Sequence, residues 1–300
     1  MKPLVLIGTF ALGLLVSCPA AAGPWTQPPG QGYAKIWLRW LPGLAYHAGP
    51  EAPDPGLHPI GLYQELGLGA WAELGVTEAL TVTVQWEPAR AFFLKDGGAT
   101  RTRAHVAVGA PVLGGRLRLL RHGRFIASLE ASVRGPNGTG QIVQDVHATA
   151  QGNPRVGGLR VTDRVWDLYA GASVGLGFDR LHVAASGGVI ARTGGYRALV
   201  VWAAELGRPI GRRGRWYGRV RLAGQHPLAN GSAPLHDSPS GIGNGTRHFG
   251  LTLELERRVS GDWAVGASLA TSLGLAARQT HGPAVMVYVA GAFGARSGQP

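Results

Sequence analysis

The sequence predicts an all-β chain, a single antiparallel transmembrane β-barrel of about twelve strands with both termini in the periplasm. Three observations predict it. Long segments alternate apolar and polar residues, the connections between them are alternately short and long, and large aromatic residues fall near segment ends. Because successive side chains of a strand point to opposite faces, a closed sheet of such segments has an apolar outside and a polar inside. That combination is typical of outer-membrane barrels.

The segment from Arg124 to Arg134 shows the alternation. Its apolar face carries Phe125, Ala127, Leu129, Ala131 and Val133. Its other face carries Ser128, Glu130 and Ser132 between the two terminal arginines. The segment from His248 to Arg258 repeats the pattern, so each segment has one face suited to hydrocarbon and one suited to water.

Alternation and turn-forming residues predict twelve strands, at residues 32–42, 60–74, 79–90, 102–119, 124–134, 165–178, 181–193, 196–208, 215–226, 247–259, 263–273 and 283–294. Short connections follow the even-numbered strands, and the longest connections are 43–59, 135–164 and 227–246. Periplasmic turns are short in such barrels, so an even strand count leaves both ends periplasmic. A phase change near Pro111 predicts a bulge in the fourth strand.

Aromatic residues give an independent indication, because membrane barrels carry aromatic girdles at both interfaces. At the periplasmic strand ends we expect outward-facing Phe125, Phe178, Trp216, Trp263 and Phe293. At the external ends we expect Trp40, Trp86, Trp166, Tyr196 and Phe249. A secreted β-sandwich also alternates, but it has no reason to place outward aromatics in two bands.

The amino terminus predicts export. Lys2, an apolar run over residues 4–16 and small residues at 20–22 indicate a signal peptide at residues 1–22, which leaves the barrel at residues 23–300. The one cysteine, Cys18, lies inside this signal, within a Leu-Val-Ser-Cys string that also resembles a lipoprotein cleavage box. Acylation of Cys18 is therefore an open alternative. The expected location is the outer membrane.

The formal net charge of +12 is compatible with nucleic acid, anionic lipid or an anionic solute as partner. The arginines are spread over alternate strand positions rather than clustered, which argues against nucleic acid. We expect outer-membrane lipid, lipopolysaccharide and a small anionic solute as partners. No cofactor is predicted, and the 10 histidines show no metal-ligand spacing.

The strand phase places many charged residues on the inward face. The candidate lumen-lining residues are the basic Lys35, Arg39, Arg103, Arg116, Arg118, Arg124, Arg134, Arg192, Arg197, Arg219 and Arg221, and the acidic Glu65, Glu73, Glu87, Glu130, Asp167, Glu205, Glu254 and Glu256. Buried charges are costly unless paired or hydrated. Two alternatives follow: the charges pair and fill a narrow interior, or water passes through and the surplus arginines attract anions.

Neighbouring strands predict which of these charges pair. We expect Arg219 and Arg221 to pair with Glu254 and Glu256 across adjacent strands. The remaining inward arginines are expected to have fewer acidic neighbours and to set the field along a pore, namely Arg116, Arg118, Arg124, Arg134, Arg192 and Arg197.

Two patterns resemble catalytic motifs, but neither predicts a catalytic residue. Residues 171–175 match the G-x-S-x-G string of a nucleophile elbow, yet Ser173 lies within an alternating strand and no helix follows. One long connection holds His226, Ser232, His236 and Ser238, without a spacing that specifies a triad.

The start of the predicted mature chain, Gly-Pro-Trp-Thr-Gln-Pro-Pro-Gly-Gln-Gly-Tyr at residues 23–33, resembles a group of little-characterised Gram-negative outer-membrane barrel proteins. Members open with Ala-Trp-Thr, a proline and Gly-x-Gly-Tyr before the first strand. The turn around residues 72–81 is also similar to theirs, although Pro24 and Leu74 depart from the usual Ala and Tyr. The resemblance implies a barrel described as a transport or surface-associated protein, and it implies no substrate.

The sequence therefore favours an outer-membrane channel that passes or binds a small anionic solute, without chemistry. One alternative is a structural or surface-interaction barrel with a packed lumen that acts through its external loops. Another is a lipid hydrolase at the barrel rim.

Overall fold

A computed structural model describes the chain at residues 24–48, 56–95, 103–137, 142–143, 159–160, 163–211, 215–235, 243–260, 262–273 and 278–294. The predicted signal peptide, Cys18 and most of the connection 135–164 lie outside these residues.

The described chain is built from strands, and their bounds are β1 Gly32–Ala48, β2 Gly56–Gly75, β3 Leu80–Lys95, β4 Arg103–Ala107, β5 Val112–His122, β6 Phe125–Arg134, β7 Ile142–Val143, β8 Leu159–Arg160, β9 Asp167–Phe178, β10 Leu181–Arg192, β11 Leu199–Ile210, β12 Trp216–Pro227, β13 His248–Ser260, β14 Trp263–Ser272, β15 Gln279–His281 and β16 Ala284–Phe293. None of its helices is long and apolar enough to cross a bilayer.

The main sheet closes on itself, because β1 pairs antiparallel with β2 on one side and with β16 on the other. Its 14 strands occupy twelve positions around the wall. Strands β4 and β5 pair with successive parts of β3, and β15 and β16 pair with successive parts of β1. The fold is thus a closed twelve-stranded antiparallel barrel. The separate pair β7 and β8 lies within the long connection after β6.

Alternation along each strand separates an exposed apolar face from a buried face. In β11, Trp202 and Leu206 are exposed, whereas the residues that directly precede them, Val201 and Glu205, are buried. The same period in β1 exposes Ile36 and buries Arg39. The outward face is a continuous apolar surface of the kind that a bilayer covers.

The phase change predicted near Pro111 is present, because the outward face changes from even-numbered to odd-numbered residues across an interruption between β4 and β5. The bulge itself lies further along the strand, between Arg118 and Leu120. At the interruption the backbone of Gly109 bonds to Glu87 O at 2.9 Å, and the Trp86 indole donates to Gly109 O at 2.9 Å. The facing stretch of β3 is also irregular, because its register against β2 shifts between Leu68 and Ala70. These two irregularities change which side chains of β3 point inward.

The two ends of the barrel differ. Tight turns such as 123–124 and 179–180 lie at one end, which we call the short-turn end. The long connections after β6 and β12 leave from the other. The long connection predicted at residues 43–59 is wrong, because β1 extends to Ala48 and β2 begins at Gly56, which leaves only residues 49–55 between them. Of the aromatic residues assigned to the short-turn end, Phe178, Trp216, Trp263 and Phe293 are exposed, and Phe125 is half-buried. At the opposite end Trp40, Trp86 and Trp166 are exposed, but the outward assignment of Tyr196 is wrong. Its ring is buried 4.7 Å from the Arg192 guanidinium carbon.

Replacing Leu129, which is exposed on the middle of β6, by arginine should lower the free energy of unfolding by about 2–4 kcal/mol, since the charge enters hydrocarbon. Reversible denaturation in lipid vesicles measures the change. The matched control is Val76→Arg, in the turn after β2, which we expect to be nearly neutral. Equal losses in the two variants would contradict the assignment of the β6 faces.

Candidate functional site

The barrel interior is the candidate functional site, because the buried faces of the strands collect charged side chains there. Those predicted for the lumen and found buried or half-buried are Lys35, Arg39, Glu65, Glu73, Glu87, Arg116, Arg118, Glu130, Arg134, Asp167, Arg192, Arg197, Glu205, Arg219, Arg221, Glu254 and Glu256. The side chain of Arg103 lies outside the described residues. Arg124 departs from the expectation, since it is 60% exposed and pairs with Asp179 in the short turn.

A compact ion cluster joins β1, β2 and β3. Glu65 Oε1 lies 2.7 Å from the Nη2 atoms of both Arg39 and Arg90. Its other oxygen accepts a hydrogen bond from Tyr63 at 3.1 Å, and Glu87 approaches Arg39 at 3.2 Å. The Glu65 side chain is 1% exposed. The fully enclosed Glu65 carboxylate is thus the closest charge partner of two buried arginines, and Glu87 is the second partner of both.

Arg90 was not among the predicted lumen residues. Continuing the alternation of Val82, Val84 and Trp86 would turn Arg90 outward, but the irregular stretch around Pro88 reverses the phase and buries it. Proline lacks the backbone donor that a central strand needs. Pro88 was therefore the available sequence signal that the phase changes at this point.

Residues 24–31, which we call the amino-terminal segment, lie inside the short-turn end of the barrel. Near β2, Gly30 N donates to Gly75 O at 2.9 Å and Gly75 N donates to Gln31 O at 2.9 Å. Gln27 N donates to Thr81 Oγ1 at 2.8 Å, and its amide reaches Glu73. These bonds attach one part of the segment to the β2 and β3 side of the wall.

The other part of the segment reaches β6, β9 and β10. Pro24 O accepts a hydrogen bond from Ser128 at 2.7 Å, and Trp25 O accepts one from Arg116 at 2.8 Å. The Trp25 ring meets the His182 ring edge-on at 5.2 Å. The segment therefore crosses the barrel interior from one side to the other and narrows the lumen. No sequence pattern had placed it there.

Arg116 links the segment to the wall charges. Its guanidinium lies 3.6 Å from Glu73 and 3.3 Å from Glu130. Glu130 in turn accepts a hydrogen bond from Ser173 at 2.6 Å. The expectation that Arg116 has few acidic neighbours is wrong, because the register of β2, β5 and β6 brings both carboxylates to it.

A second ion cluster lies toward the long connections. Asp163 and Asp167 pair with Arg134 and Arg192 at distances such as 3.4 Å for Arg134–Asp163 and 3.1 Å for Arg192–Asp167. Arg192 also donates to Gly243 O at 3.0 Å. Burial raises the pKa of the Asp163 carboxyl, against the opposing effect of the two arginines. The expected shortage of acidic neighbours for Arg134 and Arg192 is therefore also wrong.

The remaining carboxylates gather between β10 and β1. Arg219 bridges Glu205 at 3.4 Å and Glu254 at 3.5 Å, and Lys35 lies 3.5 Å from Glu254. His182 Nε2 lies within hydrogen-bond distance of Glu205 Oε1, at 2.9 Å. The expected pairing of Arg219 with Glu254 is present.

Arg221 forms no ion pair with the described residues, contrary to the expectation that it pairs with Glu254 or Glu256. It stands opposite Glu205 on β11 and Thr252 on β13. Glu205 already contacts His182 and Arg219. Arg221 lines a small, partly open cavity together with Pro24, Ser173, Ser186 and Glu205.

The structure does not bring together Ser173 and His226, which belong to the two patterns that resemble catalytic motifs. Ser173 is buried in β9 and bonded to Glu130, while His226 is exposed on the outward face of β12. His236 and Ser238 lie outside the described residues. Within the described part of the chain, no group of three or more His, Cys, Asp or Glu side chains is placed to hold a metal ion.

Neither a known protein family nor a curated protein matches the sequence. Solved structures do match. The chain is similar to the COG4313 outer membrane channel from Pseudomonas putida F1, with 12% identity, a TM-score of 0.60, and coverage of 90% of this chain and 98% of that chain. It also matches the CymD monoaromatic hydrocarbon channel, with 12% identity, a TM-score of 0.47 and coverage of 90% of both chains. The likeness to the first channel shows that the fold is that of an outer-membrane β-barrel.

Glu65→Gln should lower the free energy of unfolding by about 3–5 kcal/mol, because the two buried arginines Arg39 and Arg90 would lose their closest carboxylate and share only Glu87. Denaturation in detergent micelles measures the loss. The same change at Glu78, which is 73% exposed and 4.0 Å from Arg118, should cost at most about 1 kcal/mol. Similar effects at both positions would show that the buried cluster is not a source of stability.

Gly175→Val should displace the amino-terminal segment, because a Cβ there would lie 2.5 Å from Pro24 Cγ and 3.0 Å from the Trp25 ring. Hydrogen exchange of the backbone amides of residues 25–31 should become faster. Gly177→Val is the control, since a Cβ at this next inward position of β9 meets nothing within 4 Å. Unchanged exchange in the Gly175 variant would contradict the seating of the segment in the lumen.

Proposed function

We propose that this protein is an outer-membrane channel that passes a small anionic solute through a lumen narrowed by the amino-terminal segment. The likeness to an outer-membrane channel supports a transport role at the level of the fold. The amino-terminal resemblance to Gram-negative outer-membrane barrels and the predicted signal peptide support the same location. The proposal has both termini in the periplasm, contact with outer-membrane lipid and lipopolysaccharide, and no catalytic step.

The position of Arg221 is the observation that supports an anion as the solute. The fully buried arginines, Arg39, Arg90, Arg116 and Arg192, contact carboxylates, whereas half-buried Arg221 forms no ion pair with a described residue. Arg221 faces the cavity beside Pro24, where the amino-terminal segment narrows the lumen. A charge at a constriction acts more strongly on a passing ion than a charge on a wide wall, because less water screens it. Ser186 lines the same cavity and supplies a hydroxyl donor to an anion.

The second candidate is a barrel with a packed lumen that acts through its external connections. The ion clusters around Glu65 and Asp163 favour it, because paired charges and a seated amino-terminal segment both fill space. Conductance distinguishes the two candidates, since a packed lumen passes no current.

Replacing Arg221 by glutamine should move the reversal potential of single channels toward cation selectivity. The shift should be larger at low salt, because a free charge is then screened less. Planar-bilayer recording under a potassium chloride gradient measures it. Arg124→Gln removes the same charge from an exposed turn position and should leave the reversal potential unchanged.

Absence of conductance in the unmodified protein under the potassium chloride gradient would exclude the channel and favour the packed-lumen candidate. Equal shifts in the Arg221 and Arg124 variants would instead mean that selectivity reflects the total charge of the chain.

A further inference from the structure

Two arginines lie on the lipid-facing surface of the barrel. In β11 the even-numbered residues face outward, as exposed Leu206 and Ile210 show, and Arg208 stands between them. In β13 the odd-numbered residues face outward, and Arg257 stands between exposed Leu255 and Val259. Both arginine side chains are exposed. Each is therefore an outward-facing charge with apolar neighbours on both sides along its strand.

The cross-strand neighbours are also apolar. Arg257 lies opposite Trp216 on β12 and Val265 on β14, and Arg208 lies opposite Gly218 on β12. The described outward positions of β11, β12 and β13 include no acidic residue, and neither arginine forms an ion pair with a described carboxylate. A guanidinium at a bilayer surface requires an anionic partner or water, and this face of the protein supplies no anion.

Trp216 places the two arginines at the depth of the lipid headgroups. Tryptophan concentrates at the boundary between hydrocarbon and water, and Trp216 is an exposed residue at the short-turn end of β12. The guanidinium carbon of Arg257 lies 5.4 Å from the centre of its ring. Arg208 belongs to the strand on the other side of β12 and lies opposite Gly218. The side chain of Ile210 lies over this glycine.

The geometry points to a binding site for the phosphate of an anionic phospholipid, formed by Arg208 and Arg257 on either side of Trp216. Arginine recognises phosphate through paired N–H donors, while the indole and the flanking Ile210 and Val259 contact glycerol and the upper acyl chains. The short-turn end is the one expected in the periplasmic leaflet. We therefore assign the occupant as phosphatidylglycerol rather than lipopolysaccharide. The site does not depend on whether the lumen conducts.

The test is lipid binding to the purified barrel in detergent, followed by native mass spectrometry with phosphatidylglycerol as probe. The double variant Arg208→Gln and Arg257→Gln should bind this lipid about thirtyfold more weakly, which is roughly fivefold for each arginine. A second double variant, Arg208→Lys and Arg257→Lys, should bind more tightly than the glutamine variant but more weakly than the unmodified chain, because the charge is kept and the paired N–H donors are lost.

Arg121→Gln with Arg180→Gln is the matched control. Both residues are exposed arginines near short turns, so the net charge falls by the same amount, and binding should stay at the level of the unmodified chain. Equal weakening of lipid binding in the control would show that binding depends only on the net charge of the chain, and it would overturn the site. Unchanged binding in the glutamine variant would also overturn it, as would preferential retention of lipid A over phosphatidylglycerol through the same two arginines.

Every variant is first tested for heat-modifiable migration in gels, which reports a folded barrel. If the glutamine double variant does not fold, Arg257→Gln alone serves, with an expected fivefold loss. Quenching of tryptophan fluorescence by brominated phosphatidylglycerol gives a second measurement. The total quenching should be smaller in Trp216→Phe than in the unmodified chain, and equal quenching in the two proteins would overturn the assignment.

Discussion

The structure depends on the closure of one sheet, because a strand edge exposed to hydrocarbon leaves backbone groups without partners. Strand β1 provides that closure by pairing with β2 on one side and with β16 on the other. Closure also fixes the faces of the strands. Once Ile36 and Leu38 face the lipid, Lys35 and Arg39 must face the interior. The charged lumen is therefore a consequence of the apolar outer surface together with the period of two.

Charged side chains inside a narrow barrel need oppositely charged or hydrogen-bonding partners there. In this chain those partners are residues far apart in sequence. Glu65 serves two arginines from different strands. The amino-terminal segment contributes in the same way, since Trp25 O and Pro24 O accept hydrogen bonds from Arg116 and Ser128. The segment that narrows the lumen thus also satisfies polar groups of the wall, so the constriction and the stability of the interior are coupled.

Sequence alone predicted the twelve wall positions, because an outward apolar face requires an apolar residue at every second position of a strand. The prediction of which residues face inward failed where this alternation stops. Pro88 interrupts the alternation, which hid the inward position of Arg90. The amino-terminal segment has no period at all, and its bond between Pro24 and Ser128 joins residues 104 positions apart. The ion pairs of Arg134 and Arg192 required Asp163, which lies in an irregular connection rather than in a strand.

The free charge in the interior arises from competition between neighbours rather than from the total charge of the chain. The formal charge of +12 includes residues such as Arg124, Arg208 and Arg257 that do not face the lumen. Inside, Arg221 has two cross-strand neighbours, neutral Thr252 and Glu205. Because His182 and Arg219 already contact Glu205, Arg221 interacts with this carboxylate only at a longer distance. The register of β10, β11 and β12 therefore makes one carboxylate serve three basic side chains, and Arg221 is the one that it does not contact directly.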